Sequence, residues 1–293
     1  MTAPTRRPAT VPGTRTGTGT GTGTGTVDPR RMRAMHGAVA LVAATLVWIV
    51  ATSGSRAPAS APDVPLDVTD TVALVTGVSA ASLGRATVSD KQRAPRRAAA
   101  HDIVMVDGKP SILYVGAEFC PYCATERWPL IVALSRFGTF SGLGVTHSSL
   151  TDVFPGTATL SFHNAAYTST YLSFTGKELF TNTLAGRNYG ALDSLTGPEQ
   201  SRFGDRTANP QQAFPFLDLA GQYLVDAQFD TGALEGMTAN QIARTLTDPS
   251  TRVGGLIDGS ANWLTAALCT LTHDQPSAVC SAGPIATLKA RLP

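Results

Sequence analysis

The chain has 293 residues, 43% of them apolar, so one sizeable core can form and disorder throughout is excluded. The formal charge of +2 hides an asymmetry: residues 1–100 carry twelve Lys and Arg against five Asp and Glu, while the remainder is acidic by five charges. No basic face interleaved with aromatic residues is present, which argues against nucleic acid as a partner, and the main basic cluster flanks an apolar run, where a membrane explains it.

Residues 14–26 are mostly a Gly-Thr repeat with no apolar side chain to bury, which predicts a disordered tail over 1–34. Arg30, Arg31 and Arg33 then precede Met35–Ala51, an uncharged stretch at the lower end of the length that crosses a bilayer. Trp48 suits the far interface, and the preceding positive charges predict a cytoplasmic N-terminus with everything after Ala51 on the other side. A buried soluble helix fits the flanking sequence poorly. A cleaved secretory signal could use Ala57-Pro58-Ala59, but the apolar run and its leader are long for one. A twin-arginine signal at Arg30-Arg31 is interrupted by Arg33. The expectation is a retained anchor over 35–51, and either export signal would still deliver the domain outside. Thr52–Asp63 has linker composition, stiffened by its prolines, so a linker is placed over 52–64 and a folded domain over 65–293.

Between Val68 and Val88 the apolar spacing suggests a short helix, and Arg93–Arg97 reads as a solvated basic turn. Ile103–Val106 is a short strand closed by Asp107-Gly108, and Ser111–Gly116 reads as a fully buried strand. Cys120-Pro121-Tyr122-Cys123 follows, after which Trp128, Ile131, Val132 and Leu134 recur at helical spacing, with Gly138 as a stop.

A cysteine motif where a buried strand turns into a helix has definite chemistry. Unpaired N–H groups and the positive end of the helix dipole lower the pKa of a thiol at a helix N-terminus. Cys120 is therefore the candidate nucleophile. Cys123, one turn further in, would attack the mixed disulfide formed with a substrate. Pro121 wastes no N–H at the first helical position. A structural disulfide and a zinc site are the alternatives; zinc needs two more ligands, and His147 and His163 form no close-spaced pair. Glu118 could move protons near Cys123 if buried, or stand in solvent.

The segment Ala117-Glu118-Phe119-Cys120-Pro121-Tyr122-Cys123, between a buried strand and an amphipathic helix, resembles the active-site segment of the thioredoxin superfamily, and its Pro-Tyr pair is similar to that of glutaredoxins. That resemblance implies a cis-proline facing the cysteines from the start of a later strand. Phe214-Pro215 before Phe216–Leu219 fits the position, so Pro215 is carried over to that role, with Gln222–Val225 as hairpin partner after Ala220-Gly221. Over Gly116–Phe140 and Ala261–Cys280 the sequence further resembles the membrane-anchored, thioredoxin-like domain-of-unknown-function family 929, from about Pro65 to the C-terminus. The implied fold class is α/β, a thioredoxin-like fold with an insertion at about 149–211, preceded by the tail and one transmembrane helix.

Within that insertion Thr159–Phe174, rich in Thr, Tyr, Phe and Ser, suggests strands or an elaborated loop, and Gly186–Asn209 reads as mostly irregular. Thr238–Thr247 reads as a helix capped by Thr238. Cys269 and Cys280, at the end of a helix over Ser260–Leu271, most economically pair as a local structural disulfide worth about 2–3 kcal/mol, the alternative being a second redox pair. The expected function is thiol–disulfide exchange on extracytoplasmic protein thiols at the cell membrane, through Cys120, Cys123 and Pro215. No organic cofactor and no metal are implied. The alternative from another class is a non-catalytic binding or assembly module braced by a Cys120–Cys123 disulfide. A third is a metal-handling protein with two thiolate ligands. Oligomeric state is left open.

Overall fold

The computed structural model describes residues 68–98, 102–204 and 214–293, all within a unit spanning Val64–Pro293. The tail, anchor and linker expected over 1–64 lie outside the described residues. Among those described, no helix is long and apolar enough to cross a membrane.

The architecture is mixed α/β and centres on β3 (Lys109–Gly116), every residue of which from Pro110 onward is buried. An uninterrupted apolar run is what a strand covered on both faces requires. β3 pairs antiparallel with β11 (Phe216–Leu219), which pairs antiparallel with β12 (Tyr223–Val225), and β1 (Arg96–Arg97) adds a short edge to β12. On its other side β3 pairs briefly with β2 (Met105–Val106), then parallel with β8 (Ser173–Glu178), from Ser111 opposite Ser173 to Gly116 opposite Glu178. Ala220 and Gly221, both at positive φ, turn the β11–β12 hairpin.

Helix α3 (Pro121–Leu134) follows β3 and is buried on all sides except at Tyr122. The sequence pointed to an amphipathic helix, but α3 lies beneath two further elements: β6 (Ala158–Ser161) and α6 (Arg252–Leu271). Trp128 Nε1 donates to the Ala158 carbonyl at 3.1 Å, and Thr159 Oγ1 donates to the Ala124 carbonyl at 2.8 Å. Trp128, Leu130, Ile131 and Leu134 join Ile257, Ala261, Leu264 and Leu268 of α6 in the main core. Burying each leucine or isoleucine side chain among them contributes about 1.5–3 kcal/mol.

Between α3 and β8 the chain forms β4 (Gly138–Ser141) with β7 (Ala166–Ser169), and β5 (Gly144–His147) with β6. A hairpin of β9 (Phe180–Ala185) and β10 (Asn188–Ala191) follows β8, then α4 (Gly197–Phe203) with a Thr196–Glu199 capping box. Several expectations change here. Of the stretch Gly186–Asn209, the described residues 186–204 are not mostly irregular, since they hold β10 and α4, and 205–209 lie outside the described residues; Gly186 is the hairpin tip at positive φ, and Gly197-Pro198 opens the helix, where a missing N–H costs nothing. The stretch read as an insertion supplies β8, a neighbour of β3 in the central sheet. Val68–Val88 holds two helices, α1 (Val68–Thr76) and α2 (Ala80–Arg85), and Arg96-Arg97 is an edge strand rather than a turn. α3 ends at Leu134, and Gly138 begins β4.

Toward the C-terminus come α5 (Ala239–Thr245), capped by Thr238 with Gln241 completing the box, then α6, α7 (Ser277–Cys280) and α8 (Gly283–Lys289). α6 begins eight residues before the expected Ser260, with Thr251 accepting from the Gly254 N–H. A Cβ on Gly254 would lie 2.2 Å from the Thr245 carbonyl, so only glycine admits this approach of α6 to the end of α5.

Candidate functional site

Cys120 is the N-cap of α3 in an extended conformation, and its sulfur accepts the Cys123 N–H at 3.4 Å. Both cysteines are free and buried, Cys120 at 4% exposure and Cys123 at none. Their environments split them. The hydrogen bond from the Cys123 thiol lowers the pKa of Cys120 against the cost of burial, helped by the Cys123 and Tyr122 N–H groups and the Arg127 charge. Burial pushes Cys123 well above the ordinary thiol range, and its bond to Cys120 adds to the rise.

Beneath the pair lies a charged layer. Arg127, four residues after Cys123 and so on the same helix face, is wholly buried against Glu178. Its Nε donates to Glu178 Oε1 at 2.8 Å, and its Nη2 donates to Oε2 at 2.5 Å and to the Ala117 carbonyl at 2.9 Å. Burial penalises the guanidinium charge, and Glu178 holds it protonated. The parallel register of β8 puts Glu178 beside Gly116, where the chain leaves β3 for the motif. Among the described residues the Tyr114 hydroxyl has no well-aligned hydrogen-bond partner, and it reaches the Cys123 thiol; burial raises its pKa well above the usual phenol value. Glu126 is also buried, and desolvation raises its carboxyl strongly although the Gln228 N–H donates to Oε2 at 3.3 Å.

An aromatic shell closes the other side. Phe119 stacks on Tyr189 of β10 with centroids 4.2 Å apart and meets Phe180 and Phe214 at 6.2 and 6.3 Å. Pro215 follows a cis peptide bond, and its neighbours Phe214 and Phe216 share an apolar cluster with both cysteines. Five residues singled out in the sequence analysis make their own contacts away from the cysteine pair. Glu118 is half-buried and accepts from Ser161 Oγ at 2.6 Å; His163 pairs with Asp193 at 2.8 Å; His147 Nδ1 contacts the Ser148 carbonyl at 2.7 Å. Cys269 and Cys280 are bonded to each other, 5.6 Å apart at Cα, in the main core. Among the described residues, no group of three or more His, Cys, Asp or Glu is placed to hold a metal ion.

Residues 101–187 match the family described as Domain of unknown function (DUF929). The DUF929 match takes in the cysteine motif, Arg127 and Glu178, and stops before Pro215 and Ala261–Cys280. The chain matches no curated protein and no solved structure.

Cys120 and Cys123 stand out in the sequence as a motif, whereas Tyr114, Arg127 and Glu178 do not. The i, i+4 spacing of Cys123 and Arg127 was a usable signal. Glu178 was reachable only through the register of β8.

Proposed function

We propose that the chain is a membrane-anchored, thioredoxin-like thiol–disulfide oxidoreductase acting on extracytoplasmic protein thiols, with the anchor at 35–51 and the main domain outside. The observation that carries this reading is the opposed perturbation of the two thiols, one favoured as thiolate at a helix N-terminus and one held protonated a turn deeper. A motif at the end of a central strand, with a cis-proline strand antiparallel beside it and a hairpin partner beyond, supports the thioredoxin-like reading.

In the reductive direction the Cys120 thiolate attacks one sulfur of a substrate disulfide, forming the mixed disulfide and expelling a substrate thiolate. Cys123 loses its proton and attacks Cys120 Sγ, expelling the second substrate thiolate. The substrate gains two electrons and Cys120–Cys123 becomes the disulfide; the oxidative direction reverses each step. Arg127 and the Tyr114 hydroxyl face the charge that develops on Cys123. Pro215, immediately before β11 and between two residues of the apolar cluster that holds both cysteines, would shape the edge that a substrate chain meets.

The test is the reduction potential of the pair in the full-length protein in detergent micelles, together with Cys123→Ser to trap mixed disulfides. A reversible couple between about −120 and −270 mV with trapped proteins supports exchange, and its value sets the direction. The low exposure of Cys120 favours one rival, a non-catalytic binding or assembly module. A couple below about −300 mV with nothing trapped would establish that rival instead.

A further inference from the structure

A cleft of about 810 Å³ opens next to the motif, with Tyr122 in its wall. Its volume is within the range of ligand sites. Tyr122 is 42% exposed and meets Phe154 edge-on at 6.2 Å, and Phe229 extends the apolar surface. The cleft is tied to the motif helix, because Thr125 Oγ1 donates to Thr231 Oγ1 at 2.9 Å and the Gln228 N–H bonds Glu126.

The charges around this apolar strip are unequal. Lys91, Arg93 and Arg252 are exposed in its walls, and the charged side chain of none of them makes an ion pair or hydrogen bond among the described residues. Asp90 and Asp230 oppose them, and Asp230 Oδ1 is occupied by the Gly232 N–H at 3.1 Å. Three cations against two carboxylates leave the walls with one net positive charge, and with no direct ion pair the cations are free to attract anionic ligands beside the apolar strip and steer their approach.

We propose that this cleft receives the acidic flank of a cysteine-bearing polypeptide, so that substrates carry Asp or Glu next to an apolar residue beside the reacting sulfur. The proposal rests on the exchange reading and names the substrate class of that site. The apolar side chain packs on Tyr122 and Phe154, the carboxylates lie among Lys91, Arg93 and Arg252, and the substrate disulfide is presented to Cys120.

The experiment uses the full-length protein and two peptides with the same internal disulfide and the same apolar neighbour, one flanked by two Glu and the other by two Lys. Exchange rates are measured in about 20 mM and about 0.3 M salt, where screening lengths differ several-fold. The Glu peptide is expected to react about tenfold faster at low salt, the ratio falling below about twofold at high salt and in the Lys91→Gln/Arg93→Gln/Arg252→Gln variant. A low-salt ratio near one, or a ratio that survives in the variant, overturns the proposal. Exchange of the wild type with neutral hydroxyethyl disulfide separates the two readings: if it and both peptides are inert, the exchange reading has failed. Titration calorimetry with the S-methylated peptides then decides the cleft alone. A dissociation constant at least fivefold lower for the Glu peptide upholds it, and equal constants overturn it.

Discussion

Replacing Glu178 by Gln removes the countercharge of a guanidinium that has no exposure to solvent. The amide keeps the shape of the carboxylate and can accept one of the two bonds now made at 2.8 and 2.5 Å, but the Arg127 charge stays buried without its partner. Breaking a buried pair in this way costs about 3–5 kcal/mol, whereas an exposed pair is worth about 0–1 kcal/mol. For a domain of this size that corresponds to a fall in Tm of about 6–20 °C. The same change removes the repulsion by which Glu178 raises Cys123, so the Cys123 thiol should titrate at lower pH than in wild type. Urea unfolding measures the first effect, and iodoacetamide labelling of a Cys120→Ser background against pH measures the second. Converting both partners to apolar residues, Arg127→Met with Glu178→Leu, should recover most of the stability. A Glu178→Gln loss below about 1 kcal/mol, with Cys123 unmoved, would refute the charged layer.

Three further outcomes are expected. In the wild type, iodoacetamide should modify Cys120 at a pH below the ordinary thiol range and leave Cys123 protected until well above it; equal profiles would remove the split between nucleophile and resolving thiol. Asp258 is buried on α6 with neither carboxylate oxygen bonded among the described residues, and desolvation raises its pKa to about 7. The folded state therefore holds a proton that the unfolded state has released, and stability is lost as pH rises from about 4 to 7, by at most about 4 kcal/mol. Asp258→Asn should match wild type near pH 4 and exceed it at pH 8 in urea unfolding, and a pH-independent difference would contradict the assignment. Replacing Cys269 and Cys280 by Ala opens a cross-link between residues eleven apart and should cost about 3 kcal/mol on the loop-entropy relation; an unchanged midpoint of denaturation would show that the bond constrains nothing.

The buried strand at Ser111–Gly116, the cysteine motif at its end and the hairpin at Ala220-Gly221 were legible because each is local: an apolar run, a fixed spacing, a turn residue at positive φ. The charged layer was hidden for the opposite reason. Glu126-Arg127 looks like a solvated turn of an amphipathic helix, yet Arg127 is buried against Glu178 and the Ala117 carbonyl and Glu126 beside the Gln228 N–H. Glu178 stands 51 residues from Arg127, and nothing short of the β3–β8 register brings them together. Gly186, Gly197 and Pro198 mislead in another way, since turn-forming residues also begin and end short elements. Arg96-Arg97 forms an edge strand through backbone pairing alone, and its charged side chains follow no apolar alternation.

The position of Cys120 is set from both ends of β3. At its start, Arg202 of α4 donates from Nε and Nη2 to Asp218 of β11 at 3.0 and 2.9 Å, and from Nη1 and Nη2 to the Ser111 hydroxyl and carbonyl at 2.8 and 2.9 Å. At its finish, Arg127 joins Glu178 of β8 to the Ala117 carbonyl. Each helix-borne arginine thus checks the register of β3 against a different neighbour. A slip of one residue would break both clamps and turn the alternating buried side chains to the wrong faces. The motif and the Phe214-Pro215 edge are carried on strands locked together in this way, β3 with β11 through Arg202 and β3 with β8 through Arg127. Misplacing reacting atoms by about 1 Å can cost about a hundredfold in rate. On the proposed exchange reading, Arg202→Gln should therefore slow the reaction of Cys120 with a disulfide peptide while leaving the iodoacetamide titrations of Cys120 and Cys123 in place, and an unchanged rate would refute the clamp.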